Sequence, residues 1–340
     1  MRRRSGIIVV MLVFLVSLTA CGGNQAGNAS EGSPSGSASA AKSNSISIAL
    51  STWVGFAPLY IAQEKGFFEK NGIKVELLKM ESVADRRTML AANKIQGFTS
   101  TVDTHVVTAA SNIPVTQVVA LDDSYGGDGL VAKKEIKSLK DLVGKNVAVQ
   151  TDGGASFFWF LYLLDKEGID VNSVHLQSMS AGDAGAAFVA KKVDAAVTWE
   201  PWLSKAKKTD FGTVLLSSDK TPGVITDTLA LSKNFADQNP DAVKALVKSW
   251  FEAVDYYKSN PDDAISIMAK AMGETAEDFK GEVSGVRYYD QQTNKEYFGT
   301  KEQPGKLREL TELGVKFWKE QKLIDTEPNI DDLIDYTFIQ

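Results

Sequence analysis

The sequence predicts an α/β protein of about two domains, and three observations lead to that prediction. The chain has 340 residues, more than one compact core usually holds, since domains average about 150 residues. From residue 45 onward, short β-rich runs alternate with amphipathic helical runs, a pattern typical of a mainly parallel sheet covered by helices. Hydrophobic residues make up 44% of the chain and charged residues 24%, which argues against wholesale disorder and against a multi-span membrane protein.

The charge balance and the cysteine count exclude further classes of protein. Basic residues number 37 and acidic residues 43, a net charge of −6, which disfavours a nucleic-acid binder because such proteins need a basic surface. The chain has one cysteine, so an intramolecular disulfide and a cysteine-based metal site are both impossible. The chain has only two histidines in addition to that one cysteine, so we expect no metal and no cofactor.

The first element, residues 1–20, is predicted to be a signal peptide. Three arginines at 2–4 precede the apolar run 7–18, which is too short to span a bilayer as a helix. The run ends in Leu-Thr-Ala-Cys at 18–21, which resembles a bacterial lipobox. We therefore expect cleavage before Cys21 and a diacylglycerol with a further acyl chain, such as palmitate, on that cysteine. The alternative is a conventional cleaved signal followed by a chance cysteine. Loss of the three arginines would take the net charge from −6 to −9.

The second element, residues 21–45, is predicted to be a lipidated flexible tether. Glycine, serine, alanine and asparagine dominate it, and such a composition buries too little apolar surface to offset the entropy of ordering. Its root-mean-square span is about 27 Å, so the folded part could sample the space next to a membrane.

The folded part is predicted to contain strands and helices in alternation, followed by helices alone. The predicted strands are 46–50, 74–79, 97–100, 116–121, 129–132, 146–150, 174–178, 195–199, 213–216 and 227–231. The predicted helices are 57–69, 85–92, 102–110, 156–167, 183–191, 201–208, 240–259, 261–272, 276–283, 305–321 and 330–338. No strand is predicted after residue 233. Trp250 lies on the apolar stripe of helix 240–259, which predicts a core position. Because ligands bind beyond the carboxyl ends of strands in such sheets, the loops that follow the strands are the candidate site.

Four motifs in this region resemble those of one family. They are W-x-G-x-x-P-L-Y-I-A-x-E-K-G-F-F-E-K-x-G-I-x-V-E at 53–76, G-F-T-S-T at 97–101, S-L-K-D-L-x-G-K-x-V-A-V at 138–149 and K-K-V-D-A-A-V-T-W-E-P-W at 191–202. Together they resemble the solute-binding lipoproteins of bacterial ABC importers in the nitrate/taurine/aliphatic-sulfonate (NMT1/THI5-like) group. The resemblance covers about 46–340.

The resemblance implies a two-lobed, periplasmic-binding-protein-like fold of type II, each lobe a mixed sheet flanked by helices. Lobe I would comprise 46–123 and 227–340, lobe II 129–222, and the hinge 124–128 and 223–226. It also implies a monomer that captures a small solute by hinge closure and delivers it to a membrane permease with its ATPase, outside the cytoplasm.

Twelve residues in the loops of the cleft are the candidate ligand contacts. They are Trp53, Phe56, Ser100, Thr101, Asp123, Tyr125, Gly154, Ala155, Ser156, Trp199, Glu200 and Asp227. The residues at 153–156 precede a helix, so their free N–H groups could hold an anion. The aromatic and acidic members could instead hold a cationic amine. The alternatives are purely structural roles for these residues: a tight turn with a serine cap at 153–156, a helix-stabilising role for Glu200 and a core position for Trp199.

The arginines influence the choice of solute. Arg86, Arg87, Arg287 and Arg308 remain after the leader, and none falls in a predicted cleft loop, so no bidentate arginine clamp is expected. Arg86 and Arg87 are predicted to lie solvated on the outside of lobe I. The favoured solute is a small sulfonate, taurine-like or nitrate-like. The alternatives are a thiamine pyrimidine precursor, a cationic amine, or a ligand-presenting role in sensing.

An enzyme is the competing class. The resemblance includes a thiamine-pathway pyrimidine synthase of the same fold, but that family has a cysteine-rich motif that this chain lacks. No P-loop lysine follows the glycines at 126–129, and the Ser-x-x-Lys match at 217–220 is predicted to lie on a surface loop. We therefore predict a binding protein without enzymatic activity.

Overall fold

Eleven strands form two sheets in the residues that the structure, a computed structural model, describes: 44–200 and 202–339. The strands are β1 Ser45–Leu50, β2 Lys74–Lys79, β3 Gly97–Thr101, β4 Val115–Ser124, β5 Asp128–Lys133, β6 Asn146–Val149, β7 His175–Ser178, β8 Ala195–Trp199, β9 Gly212–Ser217, β10 Thr226–Ser232 and β11 Val286–Tyr288. The predicted leader, Cys21 and almost all of the predicted tether lie outside the described residues. Within the described ranges, no helix has the length and apolar character needed to cross a bilayer.

Fourteen α-helices cover the sheets of this described part. They are α1 Pro58–Glu64, α2 Phe67–Lys70, α3 Val83–Ala91, α4 Val102–Ala110, α5 Ala155–Lys166, α6 Ala181–Val189, α7 Trp202–Lys207, α8 Lys233–Gln238, α9 Pro240–Ser259, α10 Pro261–Met272, α11 Ala276–Val283, α12 Gln291–Phe298, α13 Lys306–Glu320 and α14 Ile330–Leu333. The predicted helix 57–69 is divided into α1 and α2, because Gly66 adopts a left-handed conformation with φ 68°.

Both sheets are mixed. The first has the order β11-β4-β10-β3-β1-β2, and the second β7-β6-β8-β5-β9. Strands joined through helices pair in parallel, as β1 does with β2 and β3, and β6 with β7 and β8. The strands next to the two chain crossings between the sheets run the other way, so β4 and β10 pair antiparallel, as do β5 and β9. The α/β fold of two helix-flanked mixed sheets is therefore confirmed, and the expectation of mainly parallel sheets is wrong.

The two sheets divide the chain discontinuously. Strands of the first come from both sides of the second: β1 to β4 precede β5 to β9, and β10 and β11 follow them. We call the first sheet with its covering helices lobe I, and the second sheet with its helices lobe II. The chain passes between the lobes after β4 and again before β10.

The strand β11 is absent from the sequence prediction, which placed only helices after residue 233. It has three residues and pairs antiparallel with the end of β4. A run this short has too few residues to show period-two alternation. Its position matters because it brings Arg287 opposite Asp123.

Trp250 is a core residue, as predicted. Its ring is 1% exposed on the buried face of α9, and its indole nitrogen donates to the carbonyl of Tyr289 at 2.9 Å.

Aromatic packing joins α5 of lobe II to α13 of lobe I. Phe157 and Phe158 both lie against Trp318, with ring centroids 5.9 and 6.1 Å apart. This contact places the beginning of α5 at the surface where the two lobes meet.

Candidate functional site

Two buried aspartates face each other at the end of lobe I's sheet. Asp122 of β4 and Asp227 of β10 are direct partners in an antiparallel pair, so their side chains lie on the same face with Cβ atoms about 5 Å apart. Asp122 is 0% exposed and Asp227 5%. Thr101, at the end of β3, pairs with Asp227 from the other side. The end of β4 and the start of β10 therefore place two carboxyl groups side by side.

Trp53 lies over the Asp122 carboxylate. The indole Nε1 donates to Asp122 Oδ1 at 3.0 Å, and the far edge of the ring approaches Gly127 in the first chain crossing. The position of Gly55 explains this close packing, since a Cβ there would lie 2.2 Å from Asp122 Oδ2. The loop after β1 thus covers the carboxylate with an aromatic ring and a glycine.

Asp128 and Asp103 add two more buried carboxyl groups. Asp128 begins β5 in lobe II, where burial raises its pKa to about 6. Asp103 lies in the first turn of α4 in lobe I, and burial likewise raises its pKa to about 6. The pKa of Asp227 lies well above its ordinary value. Burial is the main cause, and the negative charges of Asp122, Asp128 and Asp103 add to it. Burial also raises the pKa of Asp122 well above its usual range.

The beginning of α5 meets this acidic group from lobe II. Gly153 and Gly154 both have positive φ, 104° and 95°, and Gly154 is the N-cap of α5. The Gly154 N–H lies close enough to the carboxyl group of Asp103 to offset part of the rise in its pKa that burial causes. No side chain caps the helix, so the alternative of a serine cap is wrong. The Ser156 hydroxyl is buried and finds no hydrogen-bond partner among the described residues.

The prediction that Arg86 lies in solvent is wrong. Arg86 is 4% exposed; its Nη1 donates to the carbonyl of Thr99 at 2.5 Å and its Nη2 to that of Glu81 at 3.3 Å. Arg87 is half-buried and donates to Thr108 and to the carbonyl of Thr104. The face of α3 that holds these arginines therefore packs on β3 and α4 rather than facing water. Arg86 supplies positive charge close to Asp227.

Asp123 points away from its neighbour Asp122, because successive strand residues face opposite sides. Arg287 Nη2 donates to its Oδ2 at 2.6 Å and Nε to its Oδ1 at 3.2 Å. The N–H of Gly223, in the second chain crossing, donates to Oδ2 at 2.8 Å. The Arg287 guanidinium also lies 4.0 Å from the ring centre of Tyr125, in the first crossing. We call Asp123, Arg287, Gly223 and Tyr125 the hinge clasp. These contacts argue against the predicted role of Asp123 as a ligand contact.

The serine in the predicted surface loop also belongs to the crossings. Ser218 is buried, and its hydroxyl lies 2.8 Å from that of Ser124 and accepts from the N–H of Gly126 at 2.7 Å. The prediction of a surface position at 217–220 is therefore wrong for this residue.

The remaining candidates differ in their surroundings. Phe56 was predicted to contact the ligand, but it lies in the hydrophobic core, in a single 3-10 turn packed on β4. Trp199 ends β8 opposite Asp128 and is 37% exposed, so the core alternative is wrong. Glu200 accepts hydrogen bonds from the Ser204 N–H and hydroxyl, both at 3.0 Å, which is the helix-stabilising alternative. Ser100 and Thr101 are buried at the end of β3, and Ala155 begins α5.

His105 and the acids do not form a metal centre. His105 is buried on α4 beside Phe98, and burial lowers its pKa to about 3, so the ring is neutral at pH 7. In the described part of the chain, no group of three or more potential ligand side chains is arranged to hold a metal ion.

Sequence reasoning selected Asp123 and Asp227 but omitted Asp103, Asp122 and Asp128 from the candidates. Strand alternation was a usable signal for one of them, because two consecutive aspartates in a strand cannot both face the same cleft. Asp128 was assigned to the hinge, and Asp103 lies inside a helix, where an acidic residue usually faces water.

Comparison with known proteins agrees with this architecture. The model of the NMT1/THI5-like family matches residues 53–264. The Taurine-binding periplasmic protein of Escherichia coli (strain K12) is 26% identical over 298 residues, which cover 85% of this chain and 91% of that protein.

Two solved structures share the fold. The periplasmic aliphatic sulphonate binding protein SsuA from Escherichia coli superposes with a TM-score of 0.71 at 18% identity, covering 86% of this chain and 92% of that one. The periplasmic nitrate-binding protein NrtA from Synechocystis PCC 6803 gives a TM-score of 0.67 at 18% identity, with 87% of each chain covered. The family model spans more than half of the sequence and includes the loop, helix and strand residues that build the cleft, and the chain thus belongs to the NMT1/THI5-like family.

Proposed function

We propose that this protein is the extracytoplasmic solute-binding component of an ABC importer. The observation that supports the proposal best is the packing of α5 of lobe II on α13 of lobe I, which brings the start of α5, with the buried Ser156 hydroxyl, to the side of lobe I that holds Asp103. Polar groups of both lobes thereby meet at one buried place beside the two chain crossings, the arrangement that a binding protein needs to enclose a small solute. Family membership supports the same function, and relatives are binding proteins rather than enzymes.

Capture would occur by closure of the two lobes about the crossings, with 124–128 and 223–226 as the hinge. A solute that contacts both lobes favours the closed form by its differential affinity for that form. Gly126 and Gly223, one in each segment, have positive φ values of 109° and 70°, and such backbone tolerates the rotation that closure requires. The closed protein would then dock on a permease served by its ATPase.

The proposed solute is a small sulfonate of the taurine type. The relatives named for taurine and aliphatic sulfonate support this class. The groups that would serve the solute are the Ser156 hydroxyl, which has no partner among the described residues, the N–H groups at the start of α5, and the aromatic rings of Trp53 and Trp199. Backbone N–H groups at a helix start hold oxyanions well, and aromatic rings hold short alkyl or cationic parts.

The protein would work as a monomer tethered through a lipid on Cys21, behind a signal peptide at 1–20. The lipobox-like sequence and the glycine- and serine-rich segment after it support this part of the proposal. Replacement of Cys21 by Ala should move the protein from the membrane fraction to the soluble fraction, and persistence in the membrane fraction would contradict the anchor.

Isothermal titration calorimetry with taurine, alkanesulfonates, nitrate and thiamine precursors tests the solute. We expect binding of at least one sulfonate, accompanied by a smaller radius of gyration in small-angle X-ray scattering as the lobes close. Binding of nitrate or of a thiamine precursor with no sulfonate bound would contradict the proposed solute class but leave the binding-protein function intact.

A further inference from the structure

We propose that an aromatic contact between the lobes stays intact while they open, so that the lobes rotate about it as a third hinge point beside the two chain crossings. The contact joins α5 of lobe II to α13 of lobe I. Its members are Phe157, Phe158, Phe317 and Trp318, which we call the aromatic pivot. The inference rests on the proposed closure of the lobes and specifies where the axis of that movement lies.

The rings of the aromatic pivot are buried as deeply as the core of a domain. The ring centre of Phe158 lies 5.7 Å from that of Phe317 and 6.1 Å from that of Trp318. The ring centre of Phe157 lies 5.9 Å from that of Trp318. The four residues are between 0% and 3% exposed. Aromatic pairs prefer tilted arrangements with centres about 4.5–7 Å apart, so the four rings form a packed interface.

The hydrophobic core continues through this contact. One cluster of buried side chains contains the core of lobe I, most of α5, and the face of lobe II's sheet that carries Val147 and Val197. The other face of that sheet, with Ala148 and Ala196, belongs to a separate cluster with α6 and α7. Lobe II is therefore joined to lobe I through one face of its sheet, and separation of α5 from α13 would divide a continuous core.

Separation of the rings would also oppose the work of a solute-binding protein. Such a protein must open to admit its solute, and a contact made only in the closed form shifts the equilibrium toward that form. Exposing one phenylalanine ring to water would favour closure roughly tenfold or more, and four rings meet in this contact. A contact that persists in both forms leaves the choice between them to the solute. Rotation about the aromatic pivot meets both needs.

Two indole hydrogen bonds fix the pivot to the chain around it. On the side of lobe I, Trp318 Nε1 donates to the carbonyl of Asp103 in α4 at 3.1 Å. On the side of lobe II, Trp159 Nε1 donates to the Thr221 hydroxyl at 2.7 Å. Thr221 lies two residues before Gly223 of the second crossing. The aromatic pivot is therefore linked to that crossing, as expected if both lie near the axis of rotation.

Distances between spin labels, measured by double electron–electron resonance, test the inference. The near pair, Lys166→Cys with Glu320→Cys, places labels at exposed positions at the ends of α5 and α13. The far pair, Asp85→Cys with Asp183→Cys, places them at exposed positions near the starts of α3 and α6. These helices follow β2 and β7, the strands farthest from the crossings in their sheets. Both pairs are made in the full chain with Cys21→Ala, so that labels attach only at the introduced cysteines.

We expect the far-pair distance to differ between the solute-free protein and the protein saturated with taurine, while the near-pair distance stays narrow and moves by less than about 2 Å. A near pair that moves or broadens would overturn the aromatic pivot; if the far pair moves as well, the proposed closure still stands. A far pair that is narrow and unchanged would show that the lobes do not rotate, which overturns the pivot and the closure together. If taurine does not bind, the solute-free distributions decide: a broad far pair with a narrow near pair supports the pivot, and narrow distributions in both overturn it.

Two alanine variants separate the pivot from ordinary core packing. Phe158 and Phe160 are both at most 2% exposed on α5, but residues two apart in a helix point to different faces, and Phe158 is the one that packs on Phe317 and Trp318. Phe158→Ala and the control Phe160→Ala should both lower the melting temperature, because each leaves a cavity. Only Phe158→Ala should broaden the near-pair distances. Equal near-pair distributions in the two variants would overturn the pivot. Should Phe158→Ala fail to fold, the label pairs in the chain with Phe158 retained still decide.

Discussion

Replacement of Arg287 by Met should lower the free energy of unfolding by about 2 kcal/mol. Arg287 makes two contacts with Asp123, and that carboxylate is fully buried. Removing one partner of a buried ion pair costs about 3–5 kcal/mol, because the remaining charge is left uncompensated. Nearly half of the Arg287 side chain contacts water, and the Gly223 N–H would still donate to Asp123, so we place the cost of the change at about 2 kcal/mol, below the full range.

Urea unfolding followed by tryptophan fluorescence measures this cost. The midpoint should fall while the slope of free energy against urea stays constant, since the surface exposed on unfolding is unchanged. The matched control is Arg308→Met, which also breaks an arginine pair, but one whose acids Asp331 and Glu312 are about half exposed. The control should show little change. Equal losses in the two variants, or no loss in Arg287→Met, would refute the reasoning that the hinge clasp is stabilised through a buried carboxylate.

Three further predictions concern the cleft and the core. Trp199→Ala should weaken solute binding at least about tenfold, as expected for an exposed aromatic wall, without lowering the melting temperature of the solute-free protein. By contrast, Trp250→Ala should destabilise it by about 3–5 kcal/mol. A large loss of stability in Trp199→Ala would contradict its place at the cleft. Because burial raises the pKa of Asp103 and of Asp128 to about 6, the folded protein retains protons that the unfolded chain loses between about pH 4 and pH 6. Melting temperature should therefore fall as pH rises through this window, less steeply when both aspartates are replaced by Asn; identical slopes would disprove the assignment. Asn294→Ala should cost about 3 kcal/mol in urea unfolding, because its side chain pairs with a buried main-chain N–H and C=O of β4; an unchanged midpoint would contradict this.

The order of strands and helices could be predicted because each obeys a local rule. The strands 74–79 and 195–199 and the helices 102–110 and 240–259 have the predicted bounds, since alternation, helical periodicity and prolines at helix starts act within a few residues. The direction of the strands could not be predicted in this way. It depends on where the chain crosses between lobes, and no local pattern distinguishes β10 from a parallel strand.

The site was predictable to the level of its loops but not of its side chains. The loops after β1, β3, β6 and β8 hold most of the candidate residues, because ligands bind beyond the carboxyl ends of strands in open α/β sheets, and their contact with a solute stays a prediction. Which side chains lie there depends on contacts between distant residues. Arg86 is buried because α3 packs on β3, and Asp123 faces the hinge because β11 places Arg287 opposite it. Arg287 lies 164 residues from Asp123 in the sequence, and the carbonyl groups that Arg86 reaches at Thr99 and Glu81, though nearer, carry no sequence signal.

Because Asp103 lies beside the start of α5, an anionic solute that binds at this end of the cleft would exchange with a carboxyl group of the protein itself. The Gly154 N–H already lies beside an internal carboxyl group, that of Asp103, which is present at a fixed effective concentration because it belongs to the same chain. A sulfonate oxygen that binds there would replace the Asp103 carboxylate. The net gain in binding free energy would be only the difference between the two interactions. Discrimination among solutes with the same anionic head would therefore depend on the rest of the molecule.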